Sequence, residues 1–304
     1  MASGEVESGS GVLTRAAAER ALVDACGEVG LVAAGTELIR LGSSAVYRIR
    51  TRVVARVSPN GKRLADARRE VAVSRWLADE GFPATRALDV SQPVEAGGHV
   101  VTFWESASER EEYAPIDLVA AMIRDFHRLE PPASLGLAVL DPFARSEERL
   151  RSLVGLDAED AAFLRSASEK ARHDWASLRF ALPTGVIHGD ASVGNVILDR
   201  TGNPLLIDLD EVSVGPREWD LVQTALYFDR LGWHSKPEYE TFVRIYGYDV
   251  MEWSGYSTLA DIREVLMVQW LAARAAHDDQ AAAEVRKRIA AIRYGGSRQD
   301  WRPY

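Results

Sequence analysis

The sequence predicts an α+β protein of two lobes, a small strand-rich one followed by a larger, mostly helical one. Three observations carry this. Across residues 36–104 short apolar runs alternate with turn residues, and only one long stretch, 63–80, has helical spacing. From residue 116 onward the apolar spacing is predominantly helical. Between the two lies 105–112, a polar run of low hydrophobicity that reads as a linker.

Each element follows in order. Residues 1–11 are rich in Ser and Gly and read as a loose tail, and 13–26 has helical apolar spacing and many alanines. Short strands are expected at 36–41, 45–50 and 53–57, with Gly42-Ser43-Ser44 as the first turn. The helix at 63–80 places Leu64, Val71, Val73, Trp76 and Leu77 at its apolar positions. Two more strands, 86–90 and 99–104, flank Gly97-Gly98. A helix at 116–129 stops at Pro131-Pro132. Helical patterns resume over 146–180 and from 219 to the end. Between these stretches, strands at 195–198 and 204–209 are joined by the turn Arg200-Thr201-Gly202-Asn203. The expected division is therefore an N-terminal lobe 1–104, a linker 105–112 and a helical lobe 113–304, with a ligand cleft where the lobes meet.

Composition narrows the class. Of the 304 residues, 47% are hydrophobic and 27% charged, the mix of an ordinary globular chain and not of a disordered one. The single cysteine, Cys26, excludes a disulfide framework and a paired-cysteine zinc site, and points to a reducing, cytoplasmic setting. The most apolar late stretch, 265–276, is interrupted by Gln269 and Arg274 and is too short for a membrane helix. The N-terminal run carries Glu5 and Glu7 and does not read as a signal peptide.

The net charge of -9 is unevenly spread: residues 1–110 sum to zero, and the remainder carries all of it. Within the window 48–75, Arg48, Arg50, Arg52, Arg56, Lys62, Arg63, Arg68, Arg69 and Arg75 face only Asp66 and Glu70. An acidic body disfavours nucleic acid as partner and attracts a cationic small molecule. The plainer alternative is a surface kept solvated by its charges.

The chemistry concentrates in 186–199, VIHGDASVGNVILD, and 205–211, LLIDLDE. Asp190 and Asn195 stand five apart between strands, and Asp208 closes the next strand. This spacing suits phosphoryl transfer from a nucleotide, where positioning and charge neutralisation do most of the work. Asp190 can accept the proton of a substrate hydroxyl. Asn195 and Asp208 supply hard oxygens of the kind that magnesium prefers. Turn formation alone is the other account of Asp190 and Asn195.

At these residues the sequence resembles the aminoglycoside phosphotransferase family, small-molecule kinases that share the protein-kinase fold. The match runs through His188, Gly189, Asp190 and Asn195, then Asp208, Gly215-Pro216 and Trp219-Asp220-Leu221, and reaches back to the Gly42-Ser43-Ser44 turn and the Glu70 helix. The resemblance implies a bilobal kinase-like enzyme, with Asp190 as catalytic base, Asn195 and Asp208 on magnesium, and ATP as donor. It makes His188 and Asp220 supports of the loop.

Two departures stand out. The third strand, Val53–Val57, offers Arg56 where protein kinases carry lysine. Arg56 keeps the charge, can grip phosphate oxygens with its fork and can pair with Glu70. The change leaves GTP open beside ATP. The Gly42-Ser43-Ser44 turn is not Gly-x-Gly-x-x-Gly, so phosphate contacts there would come from backbone amides and the Ser43 and Ser44 hydroxyls, or not at all. Trp104, at the lobe junction, is the candidate for stacking on the base. Only six residues separate Asp208 from Gly215, too few for a peptide-docking activation segment, so a small acceptor is expected. Asp210, Glu211, Asp229, Asp278 and Asp279 are the candidates for holding a cationic acceptor such as an aminoglycoside-type antibiotic. A metabolic kinase for an amino alcohol or sugar, and a nucleotide-binding module without turnover, are the rival readings. The sequence leaves the oligomeric state open.

Overall fold

The computed structural model describes residues 13–42, 44–49, 52–59, 64–108, 112–151, 153, 155–275 and 278–304. Two compact units divide the chain. The first comprises Met1–Ala114, Pro131–Leu137 and Gly194–Val212, and the second Pro115–Glu130, Ala138–Val193 and Ser213–Tyr304. The α+β class holds, with an antiparallel sheet in the first unit and most of the helices in the second.

The sheet of the first unit contains β1 (Glu37–Leu41), β2 (Ala45–Ile49), β3 (Val53–Val57), β4 (Val94–Ala96) and β5 (His99–Glu105), in the order β1-β2-β3-β5-β4. Side chains alternate along β2 and β3 between buried and half-buried, the period-two pattern of a sheet with one covered face. Ala45, Tyr47, Ile49, Ala55 and Val57 form that face and pack with Ala18, Leu22 and Ala25 of α1 (Arg15–Glu28). Thr14 caps α1 by accepting from the Ala17 N–H. The other face carries Val54 and Arg56, opposite Trp104 and Thr102 of β5. Helix α2 (Leu64–Asp79) fits the expected 63–80, and its buried side includes Glu70 along with Val71, Val73, Trp76 and Leu77.

The expected strand at 86–90 is not one. The edge of β5 is shared: β4 pairs with its first half, and 86–88 touches the second half through Leu88 N–H to Phe103 C=O and Glu105 N–H to Arg86 C=O. Between them the Gln92 side chain takes the place of a ladder residue. It donates to the Leu88 and Phe103 carbonyls at 2.7 and 3.0 Å and accepts from the Phe103 N–H at 2.7 Å.

The first unit also holds the hairpin of β7 (Val196–Leu198) and β8 (Pro204–Leu206). Its turn is built by Asp199, whose carboxylate accepts from the Thr201 N–H and hydroxyl and from the Asn203 N–H. Both strands are shorter than expected: Asn195 ends a 3₁₀ turn, and Asp208 lies beyond β8. Leu206 fixes the hairpin to residues 83–85, donating to the Pro83 carbonyl at 3.0 Å and accepting from Thr85 at 2.8 Å.

In the second unit α3 (Ile116–Phe126) stops earlier than expected, with His127 as its C-cap. The 146–180 pattern is two helices, α4 (Ser146–Arg151) and α5 (Ala158–Ser177), the latter capped by Asp157. A short strand pair went unread in the sequence, β6 (Thr184–Ile187) with β9 (Ser213–Pro216). Gly215 belongs there for steric reasons, since a Cβ would lie 2.7 Å from the Ile187 Cδ1. The last region contains α6 (Glu218–Asp229), α7 (Lys236–Tyr246), α8 (Tyr256–Ala272) and α9 (Asp279–Tyr294). Among the described residues no helix is long and apolar enough to cross a membrane.

Candidate active site

In the first unit, strand alternation sends Arg56 to the sheet face that α1 leaves uncovered. There its guanidinium pairs with Glu70 of α2 through one nitrogen and stands 3.4 Å from the Asp208 carboxylate through another. Burial opposes the charge on Arg56, but Glu70, Asp210 and Asp208 outweigh it and hold the group protonated. Arg56 lies 5.8 Å from the centre of the Trp104 ring. That ring is buried, and its N–H donates to the Thr102 hydroxyl at 2.9 Å.

Asp208 takes a left-handed backbone, φ 60° and ψ 66°, which a non-glycine residue adopts at a cost of about 1–2 kcal/mol. Strain of this kind gathers at functional positions. The open end of the β7–β8 hairpin brings Asn195 beside it, because the Asn195 carbonyl accepts from the Ile207 N–H at 3.0 Å. Asn195, just before β7, and Asp208, just after β8, thus offer oxygen donors from the two ends of one hairpin. Asp210 and Glu211 follow, both exposed, on a 3₁₀ turn anchored by the buried Leu209. In the β1–β2 turn the Ser44 carbonyl accepts from the Gly42 N–H at 3.0 Å, whereas Ser43 lies outside the described residues.

The second unit holds Asp190 on a loop fixed from behind by the first turn of α6. Asp220, fully buried, accepts from the His188 and Gly189 N–H groups at 2.7 and 2.9 Å, and from His127 Nε2 at 2.9 Å. Trp219 donates its indole N–H to the Gly189 carbonyl at 2.9 Å. Gly189 has φ 89°, so the loop needs glycine there, at the position that is arginine in protein kinases. Burial pushes the Asp220 carboxyl up. Its contacts with His127 and His188 outweigh this and hold it below its ordinary value. His127, which the sequence reading did not single out, is itself held by the Tyr246 hydroxyl at 2.9 Å.

The Asp190 carboxylate is about half exposed, and Arg263 of α8 stands 4.0 Å from it. Arg263 is also unforeseen. Its guanidinium lies 4.3 Å from the Trp219 ring centre and is hydrogen-bonded to Gln223. Burial raises the Tyr227 hydroxyl above its ordinary value, and the nearby Asp190 adds to the shift. A helix contributes Arg263 from 73 residues downstream, and no local pattern signals that.

Of the remaining acidic candidates, Asp229 and Asp278 have local partners. Asp229 accepts from the Tyr256 hydroxyl at 2.9 Å, and Asp278 caps α9 by accepting from the Gln280 and Ala281 N–H groups. Asp279 is the exposed first residue of that helix.

The donor set of the first unit fits magnesium. It consists of hard oxygens, and magnesium is typically held by one or two carboxylates together with substrate phosphates. Among the described residues no group of three or more His, Cys, Asp or Glu side chains forms a metal cage, as that mode of binding requires none.

The model of the phosphotransferase enzyme family matches residues 35–260 of this chain. No curated protein sequence matches it. Solved structures similar in fold include a microcompartment-associated aminopropanol kinase, with 15% identity, TM-score 0.69, and coverage of 89% of this chain and 94% of that one. An amicoumacin kinase in complex with AMP-PNP and Ca2+ has 12% identity, TM-score 0.66, and coverage of 88% and 90%. The choline kinase of Streptococcus pneumoniae has 17% identity, TM-score 0.58, and coverage of 89% and 98%.

Proposed function

The chain belongs to the phosphotransferase enzyme family, and from that premise we propose that it moves the γ-phosphate of ATP to a hydroxyl of a small cationic molecule, foremost an aminoglycoside-type or related antibiotic. The observation that carries the reading is the charged Arg56 guanidinium held between Glu70 and Asp208, which sets a phosphate-binding group beside a candidate metal ligand.

In this reading Asp190 accepts the proton of the acceptor hydroxyl as its oxygen bonds to the γ-phosphorus. The bond from that phosphorus to the bridging oxygen breaks, and ADP leaves with the electron pair. Asp220, His127 and Trp219 position the loop that bears Asp190. Arg56 holds phosphate oxygens, and Glu70 orients Arg56. Magnesium, held by Asn195 and Asp208, would offset phosphate charge as it builds. The acidic remainder of the chain favours a cationic acceptor. The structural neighbours named for aminopropanol and choline handle acceptors that pair a hydroxyl with a cationic nitrogen.

The test is an acceptor panel with ATP and magnesium, read by mass spectrometry of phosphorylated product. It includes aminoglycosides, an amino alcohol, choline, a neutral sugar and an anionic alcohol. Turnover of cationic acceptors, with a KM that rises with salt, is expected. Turnover of amino alcohols alone replaces the antibiotic with a metabolic substrate. A preference for the neutral or anionic member removes the electrostatic argument.

A further inference from the structure

Helix α8 brings a charge to the Asp190 loop that the reaction described above does not use. Arg263 is buried on a helix that also buries Leu259, Ile262, Leu266 and Leu271. Its neighbour Glu264 is engaged with Arg230 and Arg298, each at 3.1 Å. A buried guanidinium rarely stabilises more than a well-packed apolar side chain, so its presence asks for a use beyond packing. The family match ends at residue 260, and Arg263 lies outside it.

The guanidinium is held from two directions. Its central carbon lies over the Trp219 ring, 4.3 Å from the centre, within range of cation–π attraction. One of its nitrogens bonds the side-chain oxygen of Gln223, which in turn donates to the Tyr227 hydroxyl at 2.8 Å. The same nitrogen stands 4.0 Å from an Asp190 carboxylate oxygen, a contact of charge. Because Trp219 donates its N–H to the Gly189 carbonyl, Arg263 is tied to the backbone one residue before Asp190 as well as to the carboxylate.

Resting on the reading of Asp190 as base, we propose that Arg263 is its positioning residue, a fixed positive charge that keeps the carboxylate aimed at the acceptor hydroxyl. Nucleotide phosphates repel a carboxylate, and the Asp190 side chain is about half exposed, with room to swing aside. A pinned cation offsets that repulsion and preserves the reactive geometry. The Arg263 side chain is only 10% exposed, so it acts through Asp190 and not on the acceptor.

The experiment is a double-mutant cycle on the full chain, with ATP and magnesium saturating and the best acceptor of the panel, or water where none is turned over. Wild type, Arg263→Gln, Asp190→Asn and the double variant are compared, each shown to be folded by circular dichroism at the assay temperature. Arg263→Gln should lower kcat roughly tenfold, within the range of coupled neighbours, and leave the nucleotide KM unchanged. In the Asp190→Asn background the same change should lower kcat by less than about twofold, because the carboxylate it serves is gone. Arg263→Lys keeps the charge and should restore kcat to within about threefold of wild type, since a contact of charge does not need the fork. If Arg263→Gln does not fold, Gln223→Met replaces it in the cycle; it unties the guanidinium and should give a smaller loss with the same dependence on Asp190. Equal fold-losses in both backgrounds would show a purely structural role. A raised acceptor KM with kcat unchanged would make Arg263 an acceptor contact. Either result overturns the proposal, as does a lysine variant no better than glutamine, and all three leave Asp190 standing as base. Near-normal kcat in Asp190→Asn removes the base itself, and absence of any turnover in wild type removes the kinase reading; the proposal falls with each.

Discussion

Replacing Asp220 with asparagine should loosen the loop that bears Asp190, and the size of the effect can be worked from three contacts. The carboxylate accepts from His188 N–H and His127 Nε2 through one oxygen, and from Gly189 N–H through the other. Asparagine keeps one carbonyl oxygen, enough for one backbone donor. Its NH2 then faces the second buried N–H, donor against donor. A hydrogen bond to a charged acceptor contributes about 1.5–3 kcal/mol, so two such losses amount to about 3–6 kcal/mol. His127 can offset part of this by exchanging tautomers and accepting from the new amide. The expected cost is about 3–5 kcal/mol, close to that of removing one partner from a buried pair. This is a factor of roughly 10²–10⁴ in the unfolding equilibrium. The assay is urea unfolding followed by tryptophan fluorescence, with Trp219 beside the loop as one reporter. The pH dependence carries the sign. The Asp220 carboxyl is held below its ordinary 3.8, so its contribution is present at neutral pH and is lost as pH falls below about 4 through the folded-state value. The gap between wild type and variant should narrow over that fall. A cost under 1 kcal/mol at pH 7, or a gap that stays constant into acid, would refute the account of Asp220.

Asp190→Asn should leave unfolding and nucleotide KM near wild type while kcat falls by roughly a hundredfold or more, the range of a positioned general base; stopped assays on the best acceptor check this. Arg56→Lys keeps the charge but cannot hold Glu70 and Asp208 with two nitrogens of one plane, so nucleotide KM should rise several-fold, with Arg56→Ala worse still; steady-state kinetics at saturating acceptor reads both. Asp278→Ala should destabilise the chain by about 1 kcal/mol through loss of the α9 cap, and Asp278→Ser should recover most of that in thermal melts. If Asp278 also meets a cationic acceptor, the serine variant will keep its stability and still show a raised acceptor KM.

The strand β3 was legible residue for residue as 53–57, with Arg56 on it, and the alternation that sends Arg56 to one face came with the structure. Glu70 was legible as its partner because α2 is long and strongly patterned. Three of the short strands were not legible. β4, β6 and β9 are rich in Gly, Ala and Pro, and their pairing depends on partners far along the chain. The 86–90 run looked like a strand because it does lie along β5, but the Gln92 side chain supplies bonds that a ladder would otherwise make. In the site, the carboxylates and Asn195 were visible from spacing. His127 and Arg263 were not, since they reach Asp220 and Asp190 from 93 and 73 residues away and carry no motif of their own.

The division of the chain bears on how the protein can be made. The backbone passes between the two compact units five times, so neither is a contiguous stretch that could be cut out and expressed alone. The sheet-bearing unit lacks its β7–β8 hairpin until residue 212 has been synthesised, and Leu206 must then find Pro83 and Thr85, laid down more than 120 residues earlier. On a ribosome adding about 5–20 residues per second, that unit waits several seconds or more for its last piece. A chimaera joined at the polar linker would part residues 83–85 from the hairpin they bond to, whereas junctions that exchange 1–212 as one block keep the unit's own contacts intact.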